Sequence, residues 1–401
     1  MFIAFRYRDY TYFWLGGAFS NIGMWTLIHA RLWLMNDLTD SEIMLGLVTM
    51  TALGPTIVLS VWGGVLADRI NRLKLVMISR ACFAILAFLT AALIMSNLIT
   101  PWQLLGISLA TGFLLSFDIP SRQAMLPNLV EKRHMVNAIA LYSFLSGASS
   151  ILGPGFFGPL VKLAGIEGLF ILIGISYLLT VYMMALMNPD PHGHRQTGGN
   201  MAADLLDGLR YVKTHNGIFS LLIMGIVTGI FGMSFINLLP VFAKDILGSD
   251  VNGYSLLLFA LGFGGILGVF IVARLTKDAT GSKFLIVGGI GFSLFLMAFS
   301  QSTSLEIALI LIGFLGLFEL VFQTTNKILV QSMVEEKFRG RVMSVHQLTW
   351  GSPAFGGLIM GSIAQFSNVT IAILVGSLIM FVVILFISIL GVKGRYWESP
   401  S

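Results

Sequence analysis

Long apolar stretches alternate with short polar connections along this chain. A helix needs about 20 mostly apolar residues to cross a bilayer, so the pattern predicts an all-α integral membrane protein with twelve spanning helices. Glycine and proline occur inside the stretches, as is common in membrane helices. The predicted runs are 10–34, 43–66, 75–96, 102–117, 136–160, 169–187, 218–242, 254–275, 284–299, 304–325, 342–365 and 369–390.

Composition excludes a soluble domain. Of the 401 residues, 56% are hydrophobic and 11% are charged, whereas soluble domains carry about 25% charged residues, and the mean hydropathy is +0.88. The single cysteine, Cys82, lies inside an apolar run, so neither a disulfide framework nor a cysteine-based metal site is expected. We expect no metal and no cofactor.

The net charge of +5 points to membrane orientation rather than to nucleic acid, because the basic residues lie in short loops and form no basic face. If both termini are cytoplasmic, all but three of the 24 Lys and Arg residues fall on the cytoplasmic side. The exceptions are Arg31, Lys162 and Lys244. This bias predicts a cytoplasmic-membrane protein with both ends inside. The first run is too long for a signal peptide, and we expect it to be retained.

The chain divides into two similar halves. A linker, 188–217, separates six runs in 1–187 from six in 218–401. The sequence Ala-Leu-Gly at 52–54 recurs at 260–262, and the glycines at 147 and 153 recur at 351 and 357. These matches predict two pseudo-symmetric six-helix bundles. The second part of the linker has apolar residues at helical spacing, which predicts an amphipathic helix lying on the inner membrane surface.

The turn at 63–75 reads GGVLADRINRLKL. Its pattern Gly64-x-Leu66-Ala67-Asp68-Arg69-x-x-Arg72 resembles the loop between the second and third helices of the major facilitator superfamily. Asn71 stands where that family usually has glycine. Asparagine tolerates the left-handed backbone conformation next best, so we expect the turn to form.

Other stretches resemble a bacterial exporter branch of that superfamily, which contains enterobactin exporters and macrolide efflux pumps. They are FRYRDYTYFWLGGAFSNIG at 5–23, DLTDS at 37–41, GGVLADR at 63–69 and RGRVMSV at 339–345. The resemblance implies the major facilitator fold and a monomer that transports a small molecule by alternating access. The site lies between the halves of that fold and is formed mainly by the first, fourth, seventh and tenth helices. The sequence has no P-loop, HExxH or GxSxG motif, so neither ATP drive nor enzymatic activity is expected.

The resemblance also implies a cytoplasmic latch, in which Asp68 contacts the N-terminus of the eleventh helix near 340–344. A carboxylate is stabilised there by free N–H groups and by the helix dipole. Alternatively, the loop charges only anchor the chain to the membrane. The latch residues are Gly64, Asp68, Arg69, Arg72, Arg339 and Arg341.

The fifth run carries small residues and a proline that resemble the glycine-rich antiporter motif of exporters, although its final paired glycines are missing. The residues are Gly147, Gly153, Pro154 and Gly158. They provide either an export-specific hinge or close helix packing.

Ionisable residues inside membrane runs cost free energy, because a charge is poorly solvated there, and they are therefore candidates for function. Glu319 lies about 15 residues into the tenth run, about 22 Å of helical rise, with Gln323 on the same face. A carboxyl group there could exchange protons near neutrality and couple them to transport. The alternative is a structural pair with Lys327 or a loop arginine.

Three further ionisable residues are candidates. Asp118 precedes Pro120 and has Arg122 four residues on, so an ion pair at the helix end is expected in place of a coupling role. Arg31 either attracts an anionic substrate or extends outward toward Asp37, Asp40 or Glu42. His29 either titrates or is a hydrogen-bonded packing residue.

Polar and aromatic residues on the first and eleventh runs are candidates for the substrate cavity. Asn21 and Trp25 are four residues apart on the first run, and His346, Gln347 and Trp350 lie near the inner end of the eleventh. The exporter branch often has an acid shortly after the Ser-Asn-Ile-Gly stretch at 20–23. Met24 occupies that place here, which predicts that coupling has moved or been lost.

Together these patterns predict a secondary transporter that exports a small amphiphilic compound, drug-like or siderophore-like, with protons as the coupling ion. The alternatives are an importer or a lysophospholipid flippase on the same fold, or a membrane sensor that has lost transport.

Overall fold

The computed structural model describes residues 2–69, 71–188, 201–275 and 281–394, without the side chains of 60–69, 201–205, 275, 392 and 393. The described part is all-helical, which confirms the predicted fold class. Its helices are α1 (Arg8–Leu38), α2 (Glu42–Arg69), α3 (Arg72–Met95), α4 (Pro101–Met125), α5 (Met135–Ala185), α6 (Met201–Thr214), α7 (Asn216–Val227), α8 (Phe235–Val241), α9 (Val251–Leu275), α10 (Gly281–Ser300), α11 (Leu305–Met333), α12 (Glu336–Phe366) and α13 (Val369–Lys393).

All twelve predicted runs lie on these helices. Nine helical stretches of the described chain are long and apolar enough to cross a membrane. One of them, Lys132–Ala185, holds both the fifth and the sixth run. The stretch Asn216–Ile246 holds the seventh run, and α1 and α12 hold the first and the eleventh. These two helices are not among the nine, although each is 31 residues long.

The turn between α2 and α3 does not use the left-handed conformation expected at Asn71. Its φ is −59° and its ψ is 112°. The side-chain oxygen of Asn71 instead accepts a hydrogen bond from the backbone N–H of Lys74 at 3.2 Å. Asn71 is therefore the N-cap of α3, a position that asparagine favours because its side chain satisfies a free N–H of the first turn.

The fourth predicted run ends too early. A capping box begins α4, with the Thr100 hydroxyl accepting from the Gln103 N–H at 3.3 Å and the Gln103 side chain accepting from the Thr100 N–H at 2.9 Å. The helix then continues past 117 and through Pro120 to Met125. Asp118 is consequently inside the helix and not at its end.

A kink replaces the loop expected between the fifth and sixth runs. The chain is helical from Met135 to Ala185, with one break at Gly165, where φ is 74° and ψ is 171°. Glycine adopts this conformation without the steric cost that a side chain would add. The kink therefore reverses the chain direction within a few residues.

The helical stretch Asn216–Ile246, which holds the seventh run, contains two π-helical segments that the sequence pattern does not reveal. They are Thr228–Met233 and Phe242–Ile246, and the short helix α8 lies between them. A π segment inserts extra residues into a helical turn and is often found at functional sites. It changes which side chains of the seventh run share a face.

Contacts divide the chain into two compact units. The first comprises Met1–Thr39 and Thr51–Gly199, and the second comprises Asp40–Met50 and Asn200–Ser401. The division falls inside α2, so its first residues pack with the second unit. There the Ser41 hydroxyl donates to the Gln365 side chain at 2.8 Å.

Within the first unit, α1 packs closely on α5. The Thr180 hydroxyl donates to the carbonyl oxygen of Gly16 at 2.9 Å, and the Thr26 hydroxyl donates to the carbonyl oxygen of Gly153 at 3.2 Å. A methyl group at Gly153 would lie 2.9 Å from the Cβ of Trp25. Small residues thus bring the two backbones together, as membrane helices require. Gly147, by contrast, has nothing within 4 Å of where its Cβ would be.

Within the second unit, α6 packs against α12. The sequence predicted that α6 lies on the inner membrane surface. The Tyr211 ring stacks on Phe338 with 4.5 Å between centroids, and Asp207 pairs with Arg341 at 3.3 Å. A Cβ at Gly208 would lie 2.7 Å from the carbonyl oxygen of Arg341. The apolar face of α6 is therefore partly covered by protein, because aromatic stacking and close backbone approach are available at the end of α12.

Replacement of Gly153 tests the packing of α1 on α5. We expect Gly153→Ala to lower the free energy of unfolding by about 1–3 kcal/mol, because the added methyl group overpacks the interface. Thermal unfolding of the purified protein in detergent measures the change. Gly147→Ala is the matched control in the same helix, and we expect it to be neutral or stabilising by up to about 1 kcal/mol, since alanine is the better helix former. Equal effects of the two substitutions would contradict the packing role.

Candidate functional site

A cavity of about 290 Å³ lies within the second unit. Helix α11 supplies half of its lining, and the rest comes from α12 and the first part of the seventh run. Polar groups face it beside a few large apolar side chains, an arrangement suited to an amphiphilic ligand. The lining residues are Gly225, Thr228, Met233, Leu320, Phe322, Gln323, Thr324, Asn326, Lys327, His346, Thr349 and Trp350.

Helical spacing explains which side chains reach the cavity. On α11, residues 323 and 324 lie three and four positions after residue 320, and residue 327 lies four and three positions after them. On α12, residues 349 and 350 lie three and four positions after residue 346. Residues at these spacings share one face of a helix. On the seventh run the π segment begins at Thr228 and ends at Met233, and both of these residues line the cavity. A Cβ at Gly229 would clash with the Ser352 hydroxyl, so only glycine lets this segment approach α12.

Asn326 joins the three walls of the cavity. Its side-chain N–H donates to the carbonyl oxygen of Leu221 on α7 at 2.9 Å. Its side-chain oxygen accepts from Nε2 of His346 on α12 at 3.2 Å, which assigns the proton of His346 to that nitrogen. Asn326 was not predicted as a cavity residue, although an amide within an apolar helix can be recognised from the sequence.

Glu319 lies directly behind the wall of the cavity. It is 5% exposed, and its Oε1 accepts a hydrogen bond from Nε2 of Gln323 at 2.9 Å. Gln323 lines the cavity and also approaches the sulfur of Met233 at 3.4 Å. Among the described residues no cation pairs with Glu319, so the predicted alternative of a pair with Lys327 or a loop arginine does not occur there.

The structure brings together only some of the residues predicted for the cavity. Gln323, His346 and Trp350 line it, whereas Gln347 is exposed and does not. Lys327 also lines the cavity, although it was predicted to lie in a cytoplasmic loop. Asn21, Trp25 and Arg31 lie in the first unit.

The first unit has its own buried polar cluster, centred on Asp118. One oxygen of this carboxylate accepts from Arg80 at 2.7 Å and from Arg122 at 2.8 Å. The side chains of Asp118 and Arg80 are 0% and 1% exposed. Arg122 also donates to the Tyr142 hydroxyl at 2.7 Å, and the Arg80 guanidinium lies 5.6 Å from the centroid of the Tyr177 ring.

The pair between Asp118 and Arg122 was predicted from their four-residue spacing, but Arg80 was missed. Arg80 is on α3, 38 positions away, and only the packing of α3 on α4 brings it to Asp118. The two arginines bind the same oxygen of Asp118, and the other oxygen has no hydrogen-bond partner among the described residues. This carboxylate therefore holds the unit together and is a poor candidate for proton coupling.

Arg31 points away from the acids toward which it could have extended. Its Nη2 donates to the Thr111 hydroxyl on α4 at 2.5 Å, ten residues from the start of that helix. His29 is also buried. Asn21 is buried with its side-chain nitrogen unpaired, and Trp25 is half-buried beside Gly153.

The latch prediction falls largely outside the described side chains. Gly64, Asp68 and Arg69 lie in the part of α2 whose side chains are not described. Arg72 donates to the carbonyl oxygen of Ala124 on α4 at 3.2 Å, and Arg339 is exposed. Arg341 pairs with Asp207 of α6 at 3.3 Å.

In the glycine-rich motif of the fifth run, Gly153, Pro154 and Gly158 are buried, whereas Gly147 is exposed.

Among the described residues, no group of three or more His, Cys, Asp or Glu side chains is arranged to hold a metal ion.

Comparisons with known proteins agree on one family. The family model described as "transmembrane secretion effector" matches residues 1–399. The staphyloferrin A transporter of Staphylococcus aureus is 23% identical over 88% of this chain and 89% of that protein. Macrolide efflux protein A of Streptococcus pyogenes is 19% identical over 83% of each chain.

Solved structures share the fold. A bacterial homologue of the human lysosomal transporter Spinster, in an inward-facing and occupied conformation, aligns with a TM-score of 0.74. The alignment covers 98% of this chain and 99% of that one at 14% identity. At this identity the likeness concerns the fold alone.

Removal of the Asp118 carboxylate tests the buried cluster. We expect Asp118→Asn to lower the free energy of unfolding by about 3–5 kcal/mol, because two buried guanidinium groups lose their counterion. Thermal unfolding of the purified protein in detergent measures this change in the free energy of unfolding. The control is Glu131→Gln, which removes the exposed pair with Arg133 and should cost less than about 1 kcal/mol. A small effect at Asp118 would mean that water or another group compensates the arginines.

Proposed function

The chain belongs to the transmembrane secretion effector family of the major facilitator superfamily, and we propose that it exports a small amphiphilic compound across the bacterial cytoplasmic membrane in exchange for protons. Membership confirms the resemblance found at 63–75 and 339–345. It also makes the chain a multi-pass membrane transporter and not an enzyme. The direction, the coupling ion, the inner-membrane location and the cytoplasmic termini belong to the proposal.

The contact between Glu319 and Gln323 carries the proposal of proton coupling. A charged carboxylate without a cation is costly inside a membrane protein, and the uptake of a proton removes that cost. Gln323 is a neutral amide and cannot offset the charge. Glu319 is therefore the described acid of the second unit whose protonation is best placed to matter for transport.

Gln323 supplies the connection between the proton and the substrate. It donates to Glu319 and lines the cavity. A charged Glu319 accepts the amide N–H of Gln323, which leaves the side-chain oxygen of Gln323 free to accept a hydrogen bond from substrate. A protonated Glu319 has its own O–H to donate to that oxygen. Substrate that donates to Gln323 thus competes with the proton on Glu319, which is the exchange that an antiporter requires.

The lining of the cavity supports an amphiphilic substrate. Leu320, Phe322 and Trp350 offer apolar and aromatic surface, while Thr228 and Thr349 offer hydroxyl groups. Two relatives, the staphyloferrin A transporter and macrolide efflux protein A, are named for a siderophore and for a drug class. Both names fit a compound with polar groups on a large organic frame.

Transport in inside-out vesicles tests the proposal. With an imposed proton gradient and a panel of cationic dyes, macrolides and siderophores, we expect gradient-driven uptake of at least one compound by the wild type. Glu319→Gln should lower this uptake at least tenfold, because an amide cannot carry the proton. Exchange of unlabelled for labelled substrate without a gradient should persist, which separates lost coupling from lost binding.

Glu306→Gln is the matched control, since Glu306 is an exposed acid in the first turn of the same helix. Its uptake should equal that of the wild type. Uptake that persists in Glu319→Gln would overturn the coupling role of Glu319. Movement of lysophospholipid between leaflets without uptake of any panel compound would favour a flippase.

A further inference from the structure

Arg31 carries a buried charge that the transport mechanism proposed above does not use. The residue is 5% exposed. Its hydrogen bond is to the hydroxyl of Thr111, a neutral group, and its Nε has no partner. Arginine stays protonated in proteins, so a full positive charge lies inside the first unit with only one neutral partner among the described residues.

The acids of the first unit do not compensate it. Asp118 is the only buried acid among the described residues of this unit, and Arg80 and Arg122 both bind it. The described interior of the unit therefore holds three guanidinium groups and one carboxylate. An electropositive interior of this kind favours the entry of an anion.

The hydroxyl that Arg31 binds and the buried carboxylate of the first unit both belong to α4. Thr111 and Asp118 are seven residues apart, which places them on one face about 10.5 Å apart along the helix. Tyr177 stacks on Arg80 and also lies within electrostatic reach of Arg31. The Tyr177 ring, over which Arg80 lies, offers an aromatic surface against which the organic part of a ligand can pack.

An unpaired charge inside a protein costs several kcal/mol, and ionisable residues in membrane segments commonly mark substrate paths. A ligand that supplies the missing negative charge recovers this cost. The guanidinium fork matches the two oxygens of a carboxylate or a phosphate, and it binds them through charge-assisted hydrogen bonds.

We propose that Arg31 binds an anionic oxygen group of the substrate, a carboxylate or a phosphate, so that the exported compounds are acidic amphiphiles. This inference rests on the proposed function. Arg31 provides the charge contact, Thr111 moves aside or shares it, and Tyr177 packs against the organic frame.

Binding to the purified full-length protein in detergent tests the inference. The probes share one aromatic frame and differ in charge: 2-naphthoate, 2-naphthyl phosphate and the neutral ester methyl 2-naphthoate. We expect at least one anion to bind at least tenfold more tightly than the ester in calorimetric titrations. The preferred anion then distinguishes carboxylate from phosphate recognition.

Substitutions of Arg31 assign the site. Arg31→Gln should weaken binding of the preferred anion at least tenfold and leave binding of the ester unchanged. Arg31→Lys, which keeps the charge but loses the fork, should give an intermediate affinity, and it maintains the test if Arg31→Gln does not fold. The matched control is Arg133→Gln, at a side chain that is 72% exposed, and it should bind like the wild type.

Three results would overturn the inference: equal affinity for the ester and both anions, anion binding that survives Arg31→Gln, or no anion binding by the folded wild type. Vesicle transport separates these from a failure of the proposed function. Gradient-driven uptake of cationic or neutral compounds alone, unaffected by Arg31→Gln, would retain export and reject the anion site. Anion binding at Arg31 without gradient-driven uptake of any compound would retain the site and reject proton-coupled export.

Discussion

The cost of a charge inside an apolar interior governs the first unit. Asp118 sits deep in α4, and its carboxylate is stable there because Arg80 and Arg122 both bind the same oxygen. The Tyr142 hydroxyl accepts a hydrogen bond from Arg122, and the Arg80 guanidinium lies over the ring of Tyr177. Helices α3, α4 and α5 are thereby fixed to one another through a charge network, and the weak forces between apolar helices in lipid are supplemented by strong directional contacts.

The second unit meets the same constraint mainly with neutral groups, and Lys327 is a cation in the lining of its cavity. Around its cavity, amides and hydroxyls replace ion pairs, and Asn326 ties α7, α11 and α12 together through hydrogen bonds. Among the described residues, the carboxyl group of Glu319 is hydrogen-bonded only by the amide of Gln323. A neutral network can rearrange at lower cost than a buried ion pair. The unit that contains the cavity is therefore the one with polar contacts able to change as substrate binds.

Local spacing and tertiary packing contributed differently to the candidate site. Contacts within one helix, such as those of Asp118 with Arg122 and of Glu319 with Gln323, follow from a four-residue spacing and were predicted. Contacts between helices were not, and Arg80 and Asn326 are the clearest examples. The π segment at Thr228–Met233 was also invisible, because its hydrophobic pattern resembles that of an ordinary apolar helix.

The sequence alone determined the class of this protein. Apolar runs of membrane length specify a helical membrane protein, because the bilayer imposes the length and composition of any segment that crosses it. The resemblance of the repeat and of the turn at 63–75 to the major facilitator superfamily then implies a transporter. Only the tertiary structure decided where individual polar side chains go. Arg31 extends toward Thr111 and not outward, Asn71 caps a helix, and α6 packs on α12. Each outcome depends on which partner another part of the chain brings within hydrogen-bonding distance, and apolar helices of similar composition leave that choice to packing.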